Sequence, residues 1–550
     1  MNEIKIKTSK KSVIISLVII SIISLGLKLY LTDFSIPVFS DNMAYTLDAV
    51  AHVNGDFSQR SDRGIGWSLF VYPFFSLVNS DNFLDYSNVI KAISISIATL
   101  SIIPVYLLGK KFFDEKYSIV VASLFAFEPH LNYNSGMGLS EPLFHLAIIL
   151  SFYFVLNKNS KFIIPSLILA GCVWWIRFNG ITVFIIISII YLLTLRGSEK
   201  YWRHFGIGLV CFLIIVTPML YERNEQFDDP FYFAYSKTVF AGTWDKSISI
   251  DSKNVEFSAN DYIEKHGVGS FLNNFFITGI FNIVSTLGKI SFPYLFILIP
   301  FGIIFSFRAF DQDKRYIKAN WIFILLSLGS MILTFSLFPD KRYIYFILPF
   351  FMIFSVIPIQ RVVQYGLNTF SFNQKQKNIF LIIVIILIIL LSCIFTLRYE
   401  ISDNQLENEK INFAKYAIKN LQGTIQREYG SSLDYLHLQL INNPEGNFKN
   451  CKVEYNKEFC GIDTSAMPKI ITISGNSIKE IISNGQNFEL EFIISNEKSE
   501  GPQNFMNDIY YNETNFPYLI KIFDSKEHGF EKLKFKVFRI DYKSFNKILD

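Results

Sequence analysis

Long apolar runs alternate with short charged ones over roughly the first 400 residues, and then the alternation stops. A helix needs about 20 apolar residues to cross the hydrocarbon core of a bilayer. Windows of that length predict about eleven spans, near 12–31, 88–109, 117–133, 139–156, 161–176, 180–195, 205–221, 287–307, 319–337, 343–360 and 379–397. The first, SVIISLVIISIISLGLKLYL, is too long for the core of a signal peptide and lacks a small-residue cleavage site, so it reads as a retained span. GWSLFVYPFFSLV and FLNNFFITGIFNIV are apolar but interrupted, and read as interfacial or re-entrant helices.

Past residue 397 the pattern changes. RYEISDNQLENEKINFAKYAIKN is polar with helical period, its apolar positions being Ile411, Phe413, Ala414, Ala417 and Ile418. KIITISG, FELEFIIS and EKLKFKVFRIDY then alternate as strands do. The prediction is a polytopic α-helical membrane domain over 1–397 followed by an α/β domain outside the membrane over 398–550.

Composition agrees with this reading. Charged residues make up 18% of the 550 and hydrophobic ones 51%, against about 25% charged in soluble domains. A net charge of +4 gives no reason to invoke nucleic acid. The five cysteines are too few and too scattered for a disulfide scaffold or a zinc site. Cys451 and Cys460 lie in the tail, where an oxidising exterior permits a disulfide and two unpaired thiols are the plain alternative. Asn512-Glu513-Thr514 has the form of an N-glycosylation sequon, a triplet that also arises by chance.

Loop charge sets the orientation. One alternate set of loops carries Lys5, Lys7, Lys10 and Lys11; Lys110, Lys111 and Lys116; Lys158 and Lys161; Arg196, Lys200 and Arg203; Arg308, Lys314, Arg315 and Lys318; and Arg361, Lys375 and Lys377. Under the positive-inside rule this set is cytoplasmic, with the N-terminus, and the chain is expected in a plasma membrane. The stretch FSDNMAYTLDAVAHVNGDFSQRSDRGIGW then faces outward, with Asp41, Asp48, Asp56, Asp62, Arg60 and Arg63.

An acid-rich outer loop is ordinarily a solvated one, and Asp48 and Asp62 are assigned to that role. The company on the same side raises a catalytic reading for Asp41. Glu141 opens a span, where an acid also suits a helix N-terminus. Arg177 lies between two short spans, Arg223 and Asn224 follow the seventh, and Lys341 and Arg342 open the tenth. Snorkelling explains each basic residue singly. Several facing carboxylates on one surface better suit an anionic lipid-phosphate substrate.

The arrangement resembles the membrane glycosyltransferases of the C-type fold, in the branch of protein O-mannosyltransferases and lipid A aminoarabinose transferases. The resemblance covers about residues 10 to 400. It rests on Asp41-Asn-Met-Ala-Tyr45, Gly-Trp-Ser-Leu-Phe-Val-Tyr-Pro, Ser140-Glu141-Pro142-Leu143-Phe144, Arg177-Phe-Asn-Gly180, Pro218 with Arg223-Asn224, and Lys341-Arg342-Tyr343 with Leu348-Pro349. It implies transfer of a sugar from a polyprenyl (dolichyl) phosphate carrier to a lipid or protein acceptor on the outer side, with inversion. Asp41 would be the general base and Glu141 the next acid in line. Tyr45, Arg60, Arg63, Arg177, Arg223, Asn224, Arg342 and Tyr343 would bind substrate. Many relatives carry a second acid after the first, where this chain has Asn42. No cofactor is then required, although Asp41, Glu141 and Asp48 could hold a divalent metal.

Three rivals remain at this stage. A secondary transporter keeps its ionisable sites mid-membrane on broken helices, whereas 379–397 is free of charge. The oligosaccharyltransferase relatives carry a Trp-Trp-Asp motif in their soluble domain, and residues 400–550 contain no Trp. A non-catalytic scaffold is excluded by nothing in the sequence.

Overall fold

The computed structural model describes residues 10–60, 62–194, 200–250, 255–290, 295–308, 312–427, 432–433, 435–436, 448–450, 467–497 and 504–549. Cys451 and Cys460, and Lys5, Lys7 and Arg196 of the basic set, lie outside these residues.

Helices dominate up to residue 420. They run α1 (Lys10–Tyr30), α2 (Ser40–Val53), α3 (Gly66–Phe75), α4 (Phe83–Leu100), α5 (Ile102–Phe112), α6 (Glu115–Ala126), α7 (Pro129–Ser135), α8 (Glu141–Val155), α9 (Ile163–Ile176), α10 (Gly180–Thr194) and α11 (Tyr201–Phe227). Among the described residues seven helices are long and apolar enough to cross a membrane: Lys10–Tyr30, Phe83–Phe112, Tyr201–Phe227, Val268–Ile290, Lys314–Leu337, Lys341–Thr369 and Gln374–Leu397. The apolar helices around 141–155, 160–176, 180–194 and 295–306 are shorter. The protein is a polytopic integral membrane protein.

Side-chain caps start several of these helices. Asp114, Asp313 and Asn373 each accept backbone N–H bonds from the first turn of the helix they precede. The helix of Lys341–Thr369 is the hub, with 94% of its apolar window buried, while α1 and Gln374–Leu397 bury only 22% and face lipid. Buried aromatic packing surrounds that hub, as where Phe350 meets Phe152 and Phe323 at centroid distances of 4.8 and 4.0 Å.

Three sequence expectations are corrected. The predicted span at 287–307 begins too late, taking in only the end of the helix Val268–Ile290, with the shorter helix Leu295–Ser306 described after it. FLNNFFITGIFNIV therefore belongs to a helix of spanning length; its three Asn had masked it, and a π turn at Leu272–Ile277 interrupts it. The predicted span at 117–133 breaks after Ala126, because Glu128 turns the chain and caps α7 through the Leu131 N–H.

The helix that ends the membrane part does not stop at 397. It continues unbroken from Gln374 to Asn420, and Phe413, Ala414 and Ala417 on its far end are fully buried against the tail. The tail holds a five-stranded sheet of β1 (Thr424–Gln426), β2 (Lys469–Ile471), β3 (Leu490–Asn496), β4 (Leu519–Asp524) and β5 (Phe535–Ile540) in the order β2-β1-β3-β5-β4. β1 pairs in parallel with β2 and β3, and β5 pairs antiparallel with β3 and β4. Asn512 of the sequon is exposed.

The tail rests on the acid-rich stretch. Phe39 meets Tyr435 at 4.6 Å, Phe448 packs edge-on to Phe83 and Tyr86, and Lys449 pairs with Asp81. One apolar cluster thus joins Tyr45, Leu47 and Val50 of α2 to Tyr435 and Phe448.

Candidate active site

The first half of the stretch that the sequence presents as a loop is helix, Ser40–Val53. Met43, Leu47 and Val50 recur at helical spacing, and α2 is buried from Asn42 to His52. Asp48 is therefore not a solvated loop residue: its side chain is 2% exposed and paired with Arg60 at 2.7 Å. The signal lay in the i, i+4, i+7 spacing of those three residues, which two acids and a histidine had obscured.

Asp41 sits in the first turn of α2 and is 47% exposed. Its carboxylate lies between two guanidinium groups, Arg63 at 3.6 Å and Arg342 at 3.5 Å. Each of these arginines has a closer acid, Asp62 for Arg63 and Asp340 for Arg342, both at 2.7 Å. Asp340 also accepts the Arg342 backbone N–H, so the cap that starts the Lys341–Ile347 turn aims its guanidinium as well. Asp62 too is thus engaged rather than merely solvated. Burial alone would raise the Asp62 carboxyl, but Arg63, with Arg60 behind it, holds it below the usual carboxylate range.

Chain reversals bring the remaining groups in. Arg177 leaves α9 in an extended conformation and pairs with Glu141 at 3.0 Å. Glu141 opens α8, is 1% exposed, and its Oε2 has no hydrogen-bond partner. The Arg177 guanidinium lies over the Tyr343 ring at 5.5 Å and the Phe144 ring at 5.7 Å. The loop after Arg63 docks on the end of α9, where a Cβ on Gly64 would lie 2.5 Å from the Trp175 carbonyl. Only glycine permits that approach, and it seats the loop that follows Arg63 on the end of α9 from which Arg177 leaves. Arg63 in turn lies over the Tyr45 ring at 5.5 Å. Burial raises the Tyr45 hydroxyl, with Arg177 and Arg63 opposing it.

Asp41, Tyr45, Arg63, Glu141, Arg177, Arg342 and Tyr343 thus form one connected cluster. Arg60 faces away toward Asp48. Arg223 is buried, donating to the Gln59 side chain at 3.3 Å and to the Arg60 and Tyr232 carbonyls, with the Phe178 ring 4.2 Å away. It holds the 59–60 segment from behind. Asn224 is exposed on α11 and makes no contact with the cluster among the described residues. Asp340 went unremarked in the sequence, although an acid two residues before Arg342 is the spacing of a capping residue.

Asp41 faces Arg63 and Arg342, Asp48 pairs with Arg60, and Glu141 with Arg177. Among the described residues no group of three His, Cys, Asp or Glu could hold a metal ion. What the cluster offers is a half-exposed carboxylate ringed by fixed cations at the end of a membrane bundle.

No protein-family model matches the sequence, and no curated protein does. The fold does have solved counterparts. The oligosaccharyltransferase of Archaeoglobus fulgidus in its apo form matches 93% of this chain and 73% of that one, at 12% identity and TM-score 0.56. The archaeal oligosaccharyltransferase AglB from Archaeoglobus fulgidus, in complex with an inhibitory peptide and a dolichol-phosphate, gives the same figures. ArnT from Cupriavidus metallidurans bound to undecaprenyl phosphate matches 96% of this chain and 98% of that one at 11% identity, with a lower TM-score of 0.47. The chain shares the fold of the archaeal oligosaccharyltransferase structures.

Proposed function

We propose that this protein transfers a sugar from a polyprenyl-phosphate carrier to an acceptor hydroxyl on the outer side of the membrane, with inversion and with Asp41 as general base. The observation that carries this reading is the state of Asp41. It is the acid in the cluster left half exposed, while Asp48, Asp62, Glu141 and Asp340 are each tied to an arginine at 3.0 Å or less. The fold supports the same class, since its counterpart AglB was solved with a dolichol-phosphate.

The acceptor hydroxyl gives its proton to Asp41 as its oxygen attacks the anomeric carbon. The bond from that carbon to the carrier oxygen breaks, and the electron pair leaves with the lipid phosphate. Attack opposite the leaving group inverts the centre. The phosphate is a good leaving group, so no strong acid is needed. Arg63, held by Asp62, Arg342, held by Asp340, and Arg177, held by Glu141, would together supply a stationary positive field for its developing charge.

The basic loops put the N-terminus in the cytoplasm and the tail outside. The tail residues Tyr435 and Phe448 then pack beside α2 on that outer side. The test is whether the purified protein consumes a polyprenyl-phosphate sugar in the presence of extracted secreted and membrane proteins. Donor that stays intact with every acceptor fraction would overturn the transferase reading.

A further inference from the structure

The position after the candidate base holds Asn42, and its side chain does something no carboxylate at neutral pH could do. Asn42 is 8% exposed, and its Nδ2 donates to the Met137 carbonyl at 2.6 Å. Met137 lies in the short segment between α7 and α8, four residues before Glu141. Trp67 Nε1 donates to the next carbonyl, that of Gly138, at 3.0 Å. Gly138 has φ +77°, so the segment follows a path a side chain would strain, and these two donors hold its outer carbonyls.

We infer that Asn42 is a positioning residue that clamps the Glu141-bearing segment to the Asp41 helix, and that the site requires a hydrogen-bond donor at this position. The inference rests on the proposed transfer reaction. Through the Met137 bond the helix that carries Asp41 and the helix that carries Glu141, with its partner Arg177, keep one spacing. An ionised aspartate at 42 would set acceptor against acceptor and leave a carbonyl unpaired. A protonated aspartate would restore the donor. The charged and titratable groups around this contact are Asp41, Tyr45 and Asp48 on the same helix, Arg63 from the loop after it and Arg342 beyond Asp41. Glu141 and Arg177 stand on the other side, and Lys91 of α4 holds the Asp33 and Ile36 carbonyls behind it.

The test compares Asn42→Asp and Asn42→Leu with the natural chain across pH 5 to 8. Reading the ratio of variant to natural activity removes the part of the Asp41 titration that the two proteins share, and Asn42→Leu, which adds no charge, serves as the reference. For Asn42→Asp the ratio should be down at least tenfold at pH 8 and climb as pH falls. For Asn42→Leu it should be low and flat. The loss should appear in kcat more than in KM for the donor, because the clamp sets spacing rather than donor contacts. The melting temperature of Asn42→Asp relative to the natural chain, read without substrate, should rise along the same pH course. This second reading separates failure of the clamp from failure of the transferase assignment. A ratio independent of pH for Asn42→Asp, or natural activity in Asn42→Leu, would overturn the inference.

Discussion

Removing the Asp48 carboxylate tests whether the acid-rich stretch is a packed element or a solvated loop. The Asp48 side chain is 2% exposed and that of Arg60 12%, with Nε to Oδ1 at 2.7 Å. Taking one partner from a buried ion pair typically costs about 3–5 kcal/mol, because the remaining charge stays in a poorly solvated place. Arg60 keeps some access to water, which lowers the expected cost of Asp48→Ala to roughly 2–4 kcal/mol. Arg223 donates to the Arg60 carbonyl at 3.1 Å, so movement of Arg60 would also disturb the approach to Arg63. Thermal unfolding in detergent reads the effect. A domain of 150–250 residues loses roughly 2–4 °C per kcal/mol, and a larger cooperative unit loses less, so a fall of several degrees is expected. Removing both charges with Asp48→Ala and Arg60→Ala should recover part of the loss. An Asp48→Ala protein as stable as the natural one would show the stretch to be solvated and refute the packing described for α2.

Other consequences are as direct. Arg342→Ala should raise KM for the donor about tenfold or more with little change in melting temperature; an unchanged KM would reduce Arg342 to an interfacial anchor. Burial pushes the Asp245 carboxyl up to about 6, and its Oδ1 has no hydrogen-bond partner. A raised acid contributes stability that is fully present below its unfolded value and is lost as pH rises through about 6. Asp245→Asn should therefore stabilise the protein by about 1–2 kcal/mol at pH 7.5, after allowing for solvent screening, and by nothing near pH 4. Equal stability of the two proteins at pH 7.5 would contradict the shift. A tag at residue 550 should be reachable from outside intact cells and one at residue 3 should not; the reverse would put Asp41 on the wrong side.

How much of this was legible in the sequence depends on the range of the interactions involved. The lipid-facing helices Lys10–Tyr30 and Gln374–Leu397 show as unbroken apolar runs because lipid demands it. The strand at Leu490–Asn496 shows as alternation. Val268–Ile290 was missed because three Asn interrupt the run; two of them meet protein, Asn274 donating to the Gly242 carbonyl and Asn282 to the Phe335 carbonyl, while Asn273 is exposed. Asp41, Tyr45, Arg63, Glu141, Arg177, Arg342 and Tyr343, which the structure brings together, stand out singly along the chain as polar residues next to apolar runs. Their pairing was not legible, since Arg177 meets Glu141 and Arg342 meets Asp41 only through the packing of distant helices. Asn42 read as a departure from a familiar pattern, and its bond to Met137 is visible only once α2 lies against the segment before α8.

Asp41→Asn tests the central claim most directly, assayed as release of sugar from a polyprenyl-phosphate donor to an acceptor fraction by purified protein of unchanged melting temperature. The substitution keeps shape and hydrogen-bond reach and removes the proton acceptor. Loss of a general base costs about 10²–10⁴ in rate. If Asp41 is the base, kcat falls by that factor while donor binding persists. A kcat within a few-fold of the natural value would contradict it and move the base elsewhere, with Glu141 next in line.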